Sequence, residues 1–234
     1  MIVSAVKRAL RRAGFDLVRY TPPLDRPFEV LPLVVRERLA LDPEFFFVQI
    51  GANDGVHADP LRDLIVRHDL AGILVEPVPE AFAALVANYR ACHRLRFEKV
   101  AIGAREGTVP LYRVRPGTEG PPFWFAIASF DRTVLTRHEI PDMYIEALPV
   151  PTITLPALLA RHDVTRLDLL QIDAEGHDGV IVREALTAGL RPRIINYESI
   201  HMPPAERYAV KQLLAEQGYR FIDVERDTLA LRAE

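Results

Sequence analysis

Apolar residues in this chain fall into short continuous runs separated by stretches with helical spacing. Phe45–Ile50 is apolar but for Gln49 and stops at Gly51, the pattern of a strand buried on both faces. Ile73–Glu76, Phe97–Ile102, Thr108–Val114, Leu167–Ile172 and Ile194–Glu198 read as further strands. Helices are expected over about Leu31–Leu41, Pro60–Leu70, Pro79–Arg90, Leu155–His162, Gly179–Ala188 and Pro204–Gln217. Tyr219–Val224 and Thr228–Leu231, parted by Glu225-Arg226-Asp227, predict a closing hairpin. Arg115–Phe130, rich in Pro, Gly and aromatics, reads as irregular. The strand–helix alternation predicts an α/β fold with a mostly parallel sheet and helices on both faces. The hairpin would add an antiparallel edge strand.

The N-terminal part differs. Thr21-Pro22-Pro23 and Arg26-Pro27 make a stiff linker, so residues 1–42 read as a helical appendage and 43–234 as the main domain. Residues 1–20 carry Lys7, Arg8, Arg11, Arg12 and Arg19 against Asp16, a local +4 that leaves −7 on the rest of a chain of net charge −3. This basic amphipathic segment suits weak docking on an anionic membrane surface, or, as the more ordinary reading, a solvated face of a packed helix.

Composition narrows the classes. With 49% hydrophobic and 26% charged residues the chain is that of a globular protein. The slight acidic balance argues against a nucleic-acid binder. The single cysteine, Cys92, excludes a disulfide framework and a cysteine-based zinc site. No apolar run approaches the roughly 18 residues needed to span a bilayer, and no signal peptide is visible. The expected location is the cytoplasm, with residues 1–20 allowing contact with the inner face of the membrane.

Candidate chemistry lies where ligands bind in open parallel sheets, beyond the carboxyl ends of the strands. The first such end reads Gln49-Ile50-Gly51-Ala52-Asn53-Asp54-Gly55. Position 53 is Asn and position 56 is Val, so the dinucleotide fingerprint G-x-G-x-x-G fails, and no P-loop follows. This glycine-turned loop, with polar Asn53 and Asp54, suits an amino-acid moiety better than a pyrophosphate. The second end, Leu74-Val75-Glu76-Pro77, places a carboxylate where both hydroxyls of a ribose can be accepted. A solvated loop glutamate is the plainer alternative.

Six segments in this order closely resemble the FkbM family of S-adenosylmethionine-dependent methyltransferases. They are Gln49–Gly55, Leu74–Pro77, Val100-Ala101-Ile102-Gly103, Thr152-Ile153-Thr154-Leu155, Leu170-Gln171-Ile172-Asp173-Ala174-Glu175-Gly176-His177 and Ile195-Asn196-Tyr197-Glu198. The resemblance implies a Rossmann-like class I methyltransferase fold with a seven-stranded sheet. It implies a cofactor site over Gln49, Gly51, Ala52, Asn53, Asp54, Gly55, Glu76, Pro77, Ala101, Ile102, Ser129 and Asp173, and usually methyl transfer to a hydroxyl of a sugar, glycan or natural product. Many members carry Asp where this chain has Gln49, so holding the methionine ammonium would pass to Asp54 or Asp173.

Transfer of a methyl group from a sulfonium to an alcohol needs alignment and usually a base. Asp173, Glu175, His177 and Glu198 end the fourth and fifth strands of the main sheet and are the catalytic candidates; plainer roles as helix caps or backbone-bonded groups stand beside them. Mg²⁺ held by Asp173, Asp178 and Glu198 is chemically admissible but not compelled by the spacing. Arg115–Phe130 reads as a substrate lid, with Trp124 either stacking on a sugar or packing the lid down. His138, Arg132 and Arg137 suit an acidic acceptor or a solvated helix equally. Two other classes remain: a non-catalytic cofactor-binding scaffold of a glycan-assembly complex, and an NAD-dependent oxidoreductase, which the missing fingerprint disfavours.

Overall fold

The structure is a computed structural model that describes residues 29–224 and 226–232. The expected basic helix of residues 1–20 and the proline linker lie outside them. One compact unit spans Leu31–Glu234. Helix α1 (Val30–Leu41) buries Leu31 and Val35. None of the helices among the described residues is long and apolar enough to cross a membrane.

The main sheet is built from β1 (Phe46–Ile50), β2 (Ala71–Val75), β3 (Leu95–Glu98), β8 (Leu169–Ile172), β9 (Ile194–Glu198), β10 (Tyr219–Val224) and β11 (Asp227–Arg232), in the order β10-β11-β9-β8-β1-β2-β3. Pairing is parallel from β3 to β9, while β11 runs antiparallel to both β9 and β10. The antiparallel strand is therefore inserted inside the sheet, not at its edge as expected. β11 carries the buried Leu229 and Ala230 into the gap beside β9, and the more polar face of Tyr219–Val224 becomes the rim.

Val48, Ile73, Leu170 and Ile195 pack on α5 (Leu155–Arg161), α6 (Asp178–Thr187) and α7 (Pro204–Glu216). The alternate residues Phe47, Leu74 and Leu169 face the other way and are equally buried, so the sheet is covered on both sides. Helices α2 (Arg62–His68) and α3 (Pro79–Asn88) complete the crossovers around β2. Their ends fall inside the expected ranges.

A second, four-stranded sheet departs from the sequence reading. It comprises β4 (Ala101–Ile102), β5 (Gly107–Val114), β6 (Ala128–Ser129) and β7 (Ile145–Ile153), ordered β4-β7-β5-β6. The expected single strand Phe97–Ile102 breaks at Lys99-Val100, and its second half joins this sheet. β7 holds Pro149 and Pro151, which conceal it as a strand. It tolerates them because β4 flanks only Thr152 and Ile153, leaving one side of the proline-bearing part unpaired. A helical turn at Pro122–Ala126 and the helix α4 (Arg132–Arg137) sit between β5 and β7, with a small core of Val114, Ile127, Val134, Leu135 and Ile145.

Candidate active site

The carboxyl ends of β1, β2 and β8 open onto a cavity of about 860 Å³, within the range of small-molecule sites. The second sheet and the turn before β6 form its opposite wall through Ala101, Ile102, Leu111, Phe123, Phe125 and Ala128.

Glu76, just beyond β2, is buried on the main-sheet side of the cavity. Its Oε2 accepts the Asn53 N–H at 2.9 Å and its Oε1 accepts the Val78 N–H at 2.8 Å. Burial outweighs these two bonds and pushes its pKa up to about 7. Each oxygen keeps a second lone pair for a ligand. Asn53 reaches Glu76 through a left-handed backbone at φ 46°, and Gly51 turns at φ 76°. A Cβ on Gly51 would lie 1.8 Å from the Asp173 carbonyl oxygen, so only glycine lets the β1 and β8 loops approach this closely.

Gln49 donates its Nε2 to Asp59 Oδ1 at 3.1 Å. A carboxylate only accepts, so this bond fixes the amide orientation and leaves Gln49 Oε1 as a buried acceptor without a partner. Asp59 also accepts the Leu61 N–H at 2.8 Å and the Tyr89 hydroxyl at 2.7 Å. Asp59, a cavity residue that Tyr89 supports from behind, was not legible as a site residue, although the polar Gln49 inside an apolar run was a signal. Gln171 and Asn196 repeat that signal on the neighbouring strands in the same row, and Asn196 Nδ2 donates to Gln171 Oε1 at 3.0 Å.

Asp54 lines the cavity but is engaged within its own loop, accepting the Val56 and His57 N–H groups at 2.9 Å and the His57 ring at 2.5 Å. Burial alone would raise it, yet these bonds hold its pKa below the usual value. Ala52 and Pro77 line the cavity. Gly55 and Ser129 stand outside its walls. Gly55 packs under the Tyr89 ring. Ser129 donates to the Glu175 carbonyl at 2.7 Å and ties the second sheet to the β8 loop.

After β8 the chain turns through Asp173, Ala174, Glu175 (φ 45°) and Gly176 (φ 96°). Asp178, fully buried at the start of α6, holds this turn. Its Oδ1 accepts the Ala174 and Glu198 N–H groups at 3.3 Å, and its Oδ2 accepts the Gly176 N–H at 3.2 Å. The carboxylates of Asp173, Glu175 and Glu198 come within 4.8 Å of one another. Asp178 is committed to backbone, so the cation trio weighed from the sequence does not assemble; Glu175 takes its place in the cluster. Asp173 has surface exposed at the cavity wall yet sits among protein atoms. Burial, then Glu198 and Glu175, raise its pKa well above the ordinary value. Burial and Glu198 push Glu175 up to about 8. His177 also lines the cavity, edge-on to Phe130 with ring centres 5.0 Å apart, and burial lowers its pKa.

The fold brings here Arg226 and His201, which the sequence reading did not place at the site, and His138, which it weighed as an acceptor-orienting residue. Arg226, in the β10–β11 turn, donates to Glu198 Oε1 from Nε at 3.0 Å and Nη2 at 2.6 Å. His138 and His201 stack edge-on at 5.0 Å beside Glu175. Arg132 and Arg137 instead pair with Asp142 and Asp131 on the surface. Trp124 packs on Gly120 and Tyr144 and is not a cavity wall; Phe123 and Phe125 are.

A strand order of this kind, with one inserted antiparallel strand and a ligand cavity at the carboxyl ends of the parallel ones, defines a class I methyltransferase fold. A model of the Methyltransferase FkbM domain matches residues 49–221, well over half the chain, and the protein belongs to that family. No curated protein sequence matches it. Among solved structures it is similar to the METTL16 MTase domain (TM-score 0.46, 12% identity, 98% of this chain and 78% of that one). It is also similar to precorrin-6y C5,15-methyltransferase from Geobacter metallireducens GS-15 (0.42, 12%, 90% and 90%) and to the SAH-bound Podospora anserina methyltransferase PaMTH1 (0.42, 13%, 100% and 95%).

Proposed function

We propose that this S-adenosylmethionine-dependent methyltransferase transfers the methyl group to a hydroxyl oxygen of a sugar, glycan or natural-product acceptor. The observation that carries the reading is the meeting of two chemistries in one cavity. Glu76 and Gln49 stand at the ends of β2 and β1, and the carboxylates of Asp173, Glu175 and Glu198 stand at the ends of β8 and β9.

The residues fit the cofactor. Glu76 offers a buried carboxylate to a ribose diol, and the orphaned Oε1 of Gln49 offers an acceptor to an ammonium group. S-adenosylmethionine would supply an electrophilic methyl carbon. In this reading Asp173, exposed at the cavity wall, receives the acceptor proton. His177 and Phe130 shape the adjoining wall, and the half-exposed Phe123 and Phe125 offer ring faces to the apolar side of an acceptor.

The test is methyl transfer from S-adenosylmethionine to a panel of sugar, glycan and polyketide hydroxyls, read by mass spectrometry and paired with calorimetry of the demethylated cofactor. Cofactor binding with an O-methylated product supports the reading. Absence of cofactor binding by folded protein, or a product methylated only at nitrogen or carbon, overturns it.

A further inference from the structure

Behind the cavity wall lies a group of side chains whose unpaired atoms face one another. The Oε2 of Glu198, whose side chain is only 6% exposed, has no hydrogen-bond partner among the described residues. The same holds for Glu175 Oε2 and His138 Nε2. His201 Nε2 stands 3.4 Å from Glu198 Oε2 and 3.6 Å from Glu175 Oε2. One ligand atom each from His138, Glu175 and His201 falls within 4.8 Å of the others.

These separations are long for hydrogen bonds but suit atoms sharing a cation. Donors bound at about 2.0–2.1 Å around a tetrahedral centre are themselves roughly 3.4 Å apart. Two of the spacings, from His201 to Glu198 and to Glu175, already have about this length, and the His138 ring lies within 4.8 Å of Glu175 and His201. Charge points the same way. Asp173, Glu175 and Glu198 crowd into one place, and Arg226 engages only Oε1 of Glu198, leaving Oε2 uncompensated. Arg226 Nη2 also approaches His201 Nε2 at 3.3 Å, a long contact that a bound ion would replace while the Glu198 pairing stayed.

We infer that His138, His201, Glu175 and Glu198 form a binding site for one divalent transition-metal ion. Two imidazoles and two carboxylates select ions of the Zn²⁺, Mn²⁺ or Fe²⁺ class over Mg²⁺, which prefers oxygen and water. His138, Glu175 and Glu198 line the cavity, whereas His201 does not, so a bound ion would lie in the cavity wall. The ion's part in catalysis rests on the methyl-transfer reading; its binding does not. The pair of histidines arrives from the residue that follows α4 and from the segment after β9, which explains why no sequence spacing announces the site.

The full chain is stripped with EDTA and titrated calorimetrically with Zn²⁺, Mn²⁺ and Mg²⁺, and S-adenosylhomocysteine binding is measured on the same samples. The expected result is one equivalent of Zn²⁺ or Mn²⁺ bound, Mg²⁺ bound at least tenfold more weakly, and a loss of about 10-fold or more in His201→Ala and His138→Ala. Cu²⁺-loaded wild type should show two imidazole nitrogens by pulsed electron paramagnetic resonance, which needs no variant to fold. Failure of folded wild type to bind any transition ion, equal binding by both histidine variants, or a spectrum without two imidazoles overturns the site. Metal binding without cofactor binding would remove the methyl-transfer reading and keep the metal site; the reverse would do the opposite.

Discussion

The Oε2 of Glu76 accepts the Asn53 N–H at 2.9 Å, so one carboxylate at the end of β2 fixes the turn that follows β1, 23 residues earlier. Its Oε1 holds the Val78 N–H in the same way. Glu76 thus shapes the cofactor end before any ligand arrives. Replacing it with Ala leaves two backbone donors unpaired and removes the ribose acceptor. Hydrogen bonds to charged groups are each worth about 1.5–3 kcal/mol, so S-adenosylhomocysteine affinity should fall about 10- to 100-fold. Calorimetry of Glu76→Ala and Glu76→Gln measures it, and unchanged affinity in both variants would reject the role.

The same residue sets a pH dependence. Burial raises Glu76 from 4.5 to about 7, so the folded protein holds its proton more tightly than the unfolded chain. Its contribution to the stability of the ligand-free protein is complete below pH 4.5 and is lost as pH rises through about 7. Cofactor affinity moves oppositely, since the ionised form is the better acceptor. It should rise by up to about tenfold between pH 6 and 8. In Glu76→Gln this slope should flatten, while a parallel slope in wild type and variant would assign it elsewhere.

Asp178 gathers the N–H groups of Ala174, Gly176 and Glu198 while fully buried. Asp178→Ala should cost about 2–3 kcal/mol, since buried donors left unpaired are expensive. That corresponds to a fall in melting temperature of roughly 5–10 °C. Methyl transfer should fall further than the stability loss accounts for, because the same turn places Asp173 and Glu175. Denaturant unfolding and activity assays on one preparation separate the two effects.

At Gly51 the obstacle is steric. Gly51→Ala puts a methyl group 1.8 Å from the Asp173 carbonyl at a φ of 76°. The β1 and β8 loops must part, so cofactor binding should be lost and soluble yield should drop. A variant binding S-adenosylhomocysteine with wild-type affinity would show that the loops need not be this close.

Phe123 and Phe125 are 55% and 45% exposed and line the cavity. Alanine at either should change stability by less than about 0.5 kcal/mol, because little packing is lost. The acceptor KM should rise several-fold with cofactor affinity unchanged. If kcat alone falls, the rings act on the chemical step and not on acceptor binding.

The strands β1, β2, β8 and β9 were legible because burial on both faces demands continuous apolar runs, and Phe45–Ile50 or Leu167–Ile172 can serve little else. Glu76 and Asp173 were legible as well, since each follows such a run at the end where ligands bind. β7 was not, because Pro149 and Pro151 read as breakers until the unpaired side of the strand is known. Nor was the insertion of β11 between β9 and β10, since a hairpin pattern is the same at a sheet's edge or inside it. His201 and Arg226 carry no periodic signal; they reach Glu198 only because the segment after β9 and the β10–β11 turn fold over the same corner. The sequence by itself determined the parallel core and the family, because burial patterns and ordered loop motifs are local. The tertiary structure alone decided which side chains meet in the cavity wall, because side-chain convergence depends on strand order and register, which no local pattern encodes.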